Sequence, residues 1–489
     1  MLKKLTKALF ARVTSNGKAS GAEKVTETDI RTDGPPIPDD LLALDIDPEV
    51  SVVPRAEHGI SRRQISPNAL KVLYRLNDAG FQSFLVGGGV RDLLLGGDPK
   101  DFDVSTDATP EEVRDLFRNS RIIGRRFKIV HIRFGREIIE VTTFRAHHQP
   151  EAGQATGGRS IRDLDSARSE SGMILRDNVY GGINEDALRR DFTINALYYT
   201  TRGFVVLDFA NGRRDLEQKQ IRIIGDPETR YREDPVRLLR AIRFSAKLDF
   251  DIEEHTRQPL DDLADLLESV SPARLFDETL KLLANGRAEQ TFELLCQYRT
   301  GEYLFGTTLQ AIRGRDDPAS RLVRLAMRNT DRRLQQGKSI TPAFFYAALL
   351  WPPLLRELEA LGVQGRPTQP VFHEAANTVV SRQLEQTAIP RRFTSMMREI
   401  WDLQWRLQAN TRRRVEYAIA HTRFRAAYDF LLLREEAGED LGGLGQWWTD
   451  FQNTDHAGQE TMLQALAPAK KPRRKRKKKR RKPSDSSDD

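Results

Sequence analysis

Asp101 and Asp103, two residues apart in Lys100-Asp101-Phe102-Asp103-Val104, are the clearest candidates for chemistry in this chain. A strand there has a side-chain period of two, so both carboxylates share one face and Phe102 and Val104 take the other. Paired carboxylates so placed supply the oxygen ligands that one or two Mg²⁺ ions need while holding a nucleoside triphosphate. They close the stretch FLVGGGVRDLLLGGDPKDFDV (84–104), whose Phe84, Leu85 and Val86 read as a short buried strand. Gly87-Gly88-Gly89 permits a sharp turn into a helical Val90–Leu95. Backbone N–H groups at such a turn, with the positive end of the next helix, seat phosphate oxygens, and Arg91 adds a fixed charge. A glycine triplet alone marks only a turn, and D-x-D alone only a solvated pair. Their adjacency is what points to triphosphate and metal.

Three further groups could join them. Glu140 is a lone carboxylate in the apolar run Ile138-Ile139-Glu140-Val141-Thr142, a costly position without a cation or a donor. If its strand neighbours Asp101–Val104, it completes a three-carboxylate metal site; otherwise it is a salt-bridged edge residue. In DALRRDFTINAL (186–197), Arg190, Asp191, Thr193 and Asn195 put charged and hydrogen-bonding groups into an otherwise foldable segment. In REDPVRLLRAIRF (232–244), Asp234 reads as an N-cap and Pro235 as the first helical residue. Arg237, Arg240 and Arg243 then line one side, opposite Leu239, Ile242 and Ala246. Such a side suits phosphate or base contacts; a solvated face is the other reading.

The surrounding elements follow from periodicity and caps. Ile65, Ala69, Val72, Leu73 and Leu76 predict a helix over 65–79 before the strand at Ser83–Val86. Thr109, Pro110 and Glu112 form a capping box for a helix to about Asn119. Lys128–Phe134 and Glu137–Phe144 predict a hairpin turning at Gly135-Arg136, and residues 145–180 read as a long mobile loop. Beyond strands at Phe204–Phe209 and Ile221–Ile224 the pattern becomes helical. The expected organisation is a flexible lead-in over 1–60, a catalytic head over 61–210, a helical neck over 211–285, a helical body over 286–465 and a disordered basic tail over 466–489. Within the body Trp401, Trp405, Arg406, Arg412, Arg413, Arg414 and Tyr417 interleave cations with aromatics. That mix suits single-stranded RNA, although a helix-bundle core with solvated arginines explains it as well.

Composition narrows the class. Cys296 is the one cysteine of 489 residues, which excludes an intramolecular disulfide and a Cys/His zinc cluster and fits a reducing compartment. The longest apolar stretch, near 344–355, is broken by Pro352-Pro353 and falls short of the ~20 residues that span a bilayer. Residues 1–13 lack a secretory apolar run, so a cytoplasmic protein is expected. The net charge of +8 lies wholly in the tail, where every residue from Lys470 to Lys482 except Pro472 is basic. A block this dense reads as an arm for a polyanion, Lys475, Arg476 and Lys477 among it, with nucleic acid ahead of acidic lipid.

LVGGGVRD (85–92), KDFDV (100–104), RRDFTINAL (189–197) and REDPVRLLRAIRF (232–244), in this order and spacing, resemble the class II nucleotidyltransferases, the bacterial poly(A) polymerases and tRNA CCA-adding enzymes. The likeness covers Ser61 to Phe250, with weaker similarity through FRAAYDFLLLR (424–434). It implies an α+β protein with a polymerase-β-like head followed by all-α neck and body domains. By position it makes Asp101 and Asp103 the ligands of two Mg²⁺ ions and Asp191 a further active-site acid. Gly87, Gly88 and Arg91 would hold the triphosphate, and Arg190, Asp234, Arg237 and Arg240 would contact the nucleotide. Ile122–Ile132 resembles the segment that marks the poly(A) polymerases, and the PRAEHGISRRQIS lead-in (54–66) and the basic arm agree. The implied reaction is template-independent addition of AMP from ATP to RNA 3′ ends by a monomer working among RNA-decay proteins. CCA addition to tRNA is the alternative within the family. A non-catalytic RNA-binding protein on the same fold is the alternative outside it, and the intact Asp101, Asp103 and Asp191 argue against that.

Overall fold

A computed structural model of the chain describes residues 46–124, 128–146, 166–168, 174–177, 179–408 and 411–466. An eight-stranded sheet forms from β1 (Ser51–Val53), β2 (Ser83–Val86), β3 (Asp103–Thr106), β4 (Ser120–Ile123), β5 (Ile129–Phe134), β6 (Glu137–Thr143), β7 (Leu197–Tyr199) and β8 (Val206–Asp208). The spatial order is β1-β8-β7-β2-β3-β6-β5-β4, antiparallel except for the β3–β6 pair. In register, Val86 faces Asp103 across β2–β3, and Asp103 faces Glu140 across β3–β6. The strand pairing on which a third carboxylate depended is therefore present.

The helices begin where caps were written. Ser66 accepts the N–H groups of Asn68 and Ala69 to open α1 (Pro67–Asp78), which buries Ala69, Val72, Leu73 and Leu76 against the sheet. After α2 (Gly88–Leu94), the Thr109–Glu112 capping box opens α3 (Pro110–Leu116). This helix stops short of Asn119, because the chain turns into β4, an edge strand with no alternating pattern to announce it. α4 (Ile183–Leu188) leads through a 3₁₀ turn at Thr193–Asn195 into β7. Downstream, α5 (Pro227–Glu233) gives way at Asp234 to α6 (Val236–Leu248). Pro235, not Asp234, is the N-cap of α6; the Asp234 carboxylate is drawn away to Arg274, 2.8 Å from its Nη2.

The ordered part starts before Ser61. β1 adds to the sheet edge beside β8, and His58 Nε2 lies 2.9 Å from the Phe204 carbonyl, so the end of the expected lead-in is part of the head. Three strand residues are too few to show a period. Residues 166–168 and 174–177 pair as a hairpin inside the expected loop; the rest of 147–178, the lead-in before 46 and the basic tail lie outside the described residues.

Beyond α6 the chain is helical, through α7 (Pro272–Leu283), α8 (Pro318–Gln335), α9 (Pro342–Leu349), α10 (Arg391–Leu407) and α11 (Phe424–Glu436). One apolar core runs without a break from Val53 in the head to Ala437 in the body, and the last helices pack on a separate cluster around Trp448. Burial on this scale contributes roughly 25 cal/mol per Å² of apolar surface.

Candidate active site

The turn after β2 needs glycine. Gly87 has φ +66° and ψ −133°, a conformation that side-chain-bearing residues avoid. A Cβ on Gly87 would stand 3.3 Å from Arg190 Nη1, so a guanidinium lies directly against the turn. Gly89 lets α2 approach β3: a Cβ there would be 3.4 Å from the Asp101 carbonyl.

Opposite this turn stand the two aspartates. Both side chains are open to solvent on one side, and neither has a hydrogen-bond or ion-pair partner among the described residues. Protein crowds Asp103 elsewhere: desolvation first, then the charges of Glu140 and Asp101, raise its carboxyl to about 6 against the pull of Arg190. Crowded carboxylates with no protein cation in contact form a donor set that fits a hard divalent ion. Glu140, the third candidate, instead meets His131 Nε2 at 3.1 Å. Among the described residues no three His, Cys, Asp or Glu side chains stand close enough to hold one metal ion. The register thus brings Glu140 beside Asp103, but its contact is to His131, which leaves Asp101 and Asp103 as the two carboxylates without a protein partner among the described residues.

Arg190 is held in a buried network. Its Nε donates to Tyr198 Oη at 2.6 Å, its Nη2 to Asp186 Oδ2 and Ser105 Oγ at 3.3 Å, and Tyr198 Oη donates to Asp186 at 2.6 Å. Burial works against its charge, yet Tyr198 and Asp186 overcome that and raise its pKa. Arg91, expected to add a fixed charge to the triphosphate seat, is 2% exposed and bonded to protein acceptors. It donates to Asp92 at 2.8 Å from Nε and to Asn195 at 2.7 Å from Nη1, so it buttresses the turn from beneath.

Asp191 differs most from expectation. It accepts Arg240 Nε at 2.6 Å, Asn195 Nδ2 at 3.0 Å and the Phe192 N–H at 2.9 Å. Burial pushes its pKa up, but Arg240, Asn195 and Phe192 together hold it well below the usual carboxylate range. Asp191 thus ties the RRDFT segment to α6, and it and Arg240 are occupied with each other. Arg237 is occupied too, donating to the Arg230 carbonyl at 2.7 Å and to Glu233 at 3.1 Å. Arg243 pairs with Glu278 at 3.6 Å, so this arginine side of α6 is neither solvated nor idle.

The sequence reading missed Arg145, Arg189 and Arg230. Burial, then repulsion from Arg145, Arg237 and Arg230, lowers Arg189 to about 9. Burial and Arg237 lower Arg230 to about 10. Arg189 and Arg230 are therefore buried cations set close together, with Glu233 as the counter-charge of Arg230 and Arg237. Arg189 had a signal, its place next to Arg190; Arg230, in the uniformly polar PETRYRE, had none.

The RNA-binding candidates separate. Trp401 is fully buried and donates to the Ala347 carbonyl at 2.9 Å, so it is core rather than a stacking platform. Arg412 pairs with Glu416 at 2.8 Å and with Glu460 at 2.5 Å, whereas Arg413 and Arg414 are exposed with no partner among the described residues. Lys475, Arg476 and Lys477 lie outside the described residues.

A mixed sheet that sets paired aspartates beside a glycine turn, followed by helices whose Arg230 and Arg240 reach the Arg189–Asp191 segment, defines a nucleotidyltransferase. The family model described as poly A polymerase head domain matches residues 83–222, that of a probable RNA and SrmB-binding site of polymerase A residues 249–311, and that of an arginine-rich polymerase A C-terminus residues 364–482. Poly(A) polymerase I of Escherichia coli O6:H1 is 48% identical over 430 residues, covering 87% of this chain and 91% of that one. Poly(A) polymerase I of Haemophilus influenzae is 43% identical over 418 residues, 85% and 90% of the two chains. The chain belongs to the bacterial poly(A) polymerase family. A CCA-adding enzyme of Lactobacillus helveticus is 38% identical, over 48% of this chain and 54% of its own. Among solved structures, the Bacillus stearothermophilus CCA-adding enzyme in complex with CTP superposes with a TM-score of 0.51 at 26% identity, covering 78% of this chain and 80% of that one.

Proposed function

We propose that this protein lengthens RNA 3′ ends by template-independent addition of AMP from ATP. The observation that carries this reading is the unpartnered Asp101–Asp103 pair beside the Gly87 turn, in a chain matched along most of its length by poly(A) polymerases. The RNA 3′-oxygen bonds to the α-phosphorus as the bond from that phosphorus to the β-phosphate bridge breaks. Pyrophosphate leaves and the hydroxyl proton passes to solvent. Asp101 and Asp103 would hold Mg²⁺, whose charge would lower the pKa of the attacking hydroxyl and offset phosphate charge.

The remaining work falls to the chain's own residues. The Gly87–Gly88 turn offers backbone donors to phosphate with Arg190 fixed against it, and Arg189, Arg230 and Arg237 supply the positive potential. The Asp191–Arg240 clamp keeps the head and α6 in one geometry, so the cleft does not reorganise when substrate enters. Asp234, tied to Arg274, and Arg237, tied to Glu233, present fixed polar groups to the base. Rigid partners of this kind favour one nucleotide without a template strand.

Among the described residues no helix is long and apolar enough to cross a membrane. We place the protein in the cytoplasm as a monomer, with RNA-decay proteins as partners and the basic tail as an RNA anchor. Purified protein incubated with a generic RNA primer and each nucleoside triphosphate separately tests the function. Long ladders with ATP alone are expected; addition that stops after CCA on tRNA would instead establish the CCA-adding reading.

A further inference from the structure

A cavity of about 280 Å³, lined by none of the residues of the proposed active site, opens in the body between α8, α9, α10 and α11. A second of about 230 Å³ runs along α8 and α11, and Asn329, Arg333, Arg425 and Asp429 line both, so the two adjoin. Their walls differ in chemistry. The first has an apolar floor that includes Phe344, Met396 and Ala426, each only half-buried, and Ile400, which is buried. The second is rimmed by Arg332 and Lys338, exposed cations whose side chains make no hydrogen bond or ion pair with any described residue. The acidic Asp429 between them is neutralised by Arg425 at 3.0 Å.

Asn329 is the informative residue. Its half-buried amide lines both cavities, yet neither its oxygen nor its nitrogen has a hydrogen-bond partner among the described residues. A donor and an acceptor side by side, over an apolar floor and next to free cations, match a nucleobase edge, a base face and a phosphate in that order. An asparagine amide pairs twice with adenine, taking the N6 hydrogen and donating to N7; guanine presents two acceptors there and leaves the amide oxygen opposed. The first cavity, just under the lower end of about 300 Å³ for small-molecule sites, is of nucleotide size.

We propose that this body cavity is a second RNA subsite, which holds one adenosine nucleotide of the tail. The adenine lies on Phe344 and Met396, Asn329 reads its edge, and the neighbouring phosphate sits between Arg332 and Lys338. The proposal rests on the poly(A) reading for the identity of the base, but not for the existence of the site. It gives the enzyme a grip on its own product: once a tail is long enough to reach the body, it is held there while the 3′ end remains at the aspartates.

The test measures binding of short labelled oligo(A), oligo(C) and oligo(U) RNAs to the full chain by fluorescence anisotropy, together with the KM for ATP on a primer too short to bridge the two sites. Asn329→Leu is expected to weaken oligo(A) about tenfold, the scale of one lost bidentate base contact, while oligo(U) shifts by less than about twofold. The KM for ATP on the short primer should stay at its wild-type value. Arg332→Glu with Lys338→Glu should weaken all three RNAs and flatten the salt dependence. Wild-type oligo(A) affinity in Asn329→Leu, or equal weakening of all three RNAs, overturns the proposal, as does wild-type protein that binds oligo(C) as tightly as oligo(A). Should Asn329→Leu unfold at a lower temperature than wild type, Asn329→Asp decides, since it keeps the shape and removes the donor to N7. Wild-type protein that fails to add AMP to any primer counts against the proposed function and leaves these binding comparisons readable.

Discussion

The cations of the head and those of the body cavity are used in opposite ways. Arg91, Arg190, Arg237 and Arg240 are each tied to protein acceptors before any substrate arrives, whereas Arg332 and Lys338 have no partner among the described residues. A guanidinium locked by neighbours has lost its rotamer freedom at folding, so it meets a phosphate without a further entropic cost. A free surface cation keeps that freedom and meets successive phosphates of a moving strand with modest, salt-sensitive energy. Chemistry calls for the first arrangement, and holding a product that must slide calls for the second.

The comparison breaks most sharply at the aspartates. Asp101→Ala or Asp103→Ala should cut AMP incorporation on the order of a thousandfold or more, because several kcal/mol of metal-derived charge stabilisation is lost. RNA affinity, which we assign to body and tail, should hardly change. Single-turnover incorporation beside a filter-binding assay separates the two, and a parallel fall in RNA binding would show that head and body do not divide the work this way.

The locked side of the contrast is tested next at Asp191. Asp191→Asn leaves Arg240 without its counter-charge and should cost about 3 kcal/mol, the low end for a broken buried pair, since Arg240 keeps 30% exposure. Asp191 ionises in the folded state at a pH well below its unfolded value of about 4, so the pair's stability is present above pH 4 and is lost as pH falls further. The gap between wild type and variant in chemical denaturation should therefore be full at neutral pH and narrow only below about pH 4. A gap that is small at pH 7 would mean that the clamp is dispensable and Asp191 is free for another role.

How much of this was legible in the residues depends on what each contact is made of. The period of two fixed the face of each strand but not which strands pair, so the Asp103–Glu140 neighbourhood stayed open until the β3–β6 register supplied it. The glycine turn followed from the triplet, since only glycine tolerates the Gly87 backbone. What stayed hidden was which charges cancel. Asp191 and Arg240 are far apart in sequence, and no local pattern says that they meet. Arg91 looks the same in sequence whether it faces solvent or Asn195. β1 was too short to show a period, and Asn329, a lone amide in a helix with the capped, amphipathic pattern of many others, carries no signal until α9, α10 and α11 close around it.

The smallest expected effect probes the aspartates themselves. Folding raises the Asp103 carboxyl from its unfolded range to about 6, so without metal its ionised form costs stability. That cost grows as pH rises from about 4 to about 6 and is constant above. Asp103→Asn should therefore raise the thermal midpoint of metal-free protein slightly at pH 8 and leave it unchanged at pH 4, opposite in sign to Asp191→Asn. Excess Mg²⁺ should abolish the difference at pH 8 by stabilising only the wild type. The Mg²⁺ concentration for half-maximal incorporation should also climb as pH falls through about 6, where protons compete for Asp103. A variant that melts below wild type in chelator at pH 8 would place Asp103 among the locked groups, and the division between committed head and open ligand site would have to be redrawn at that residue.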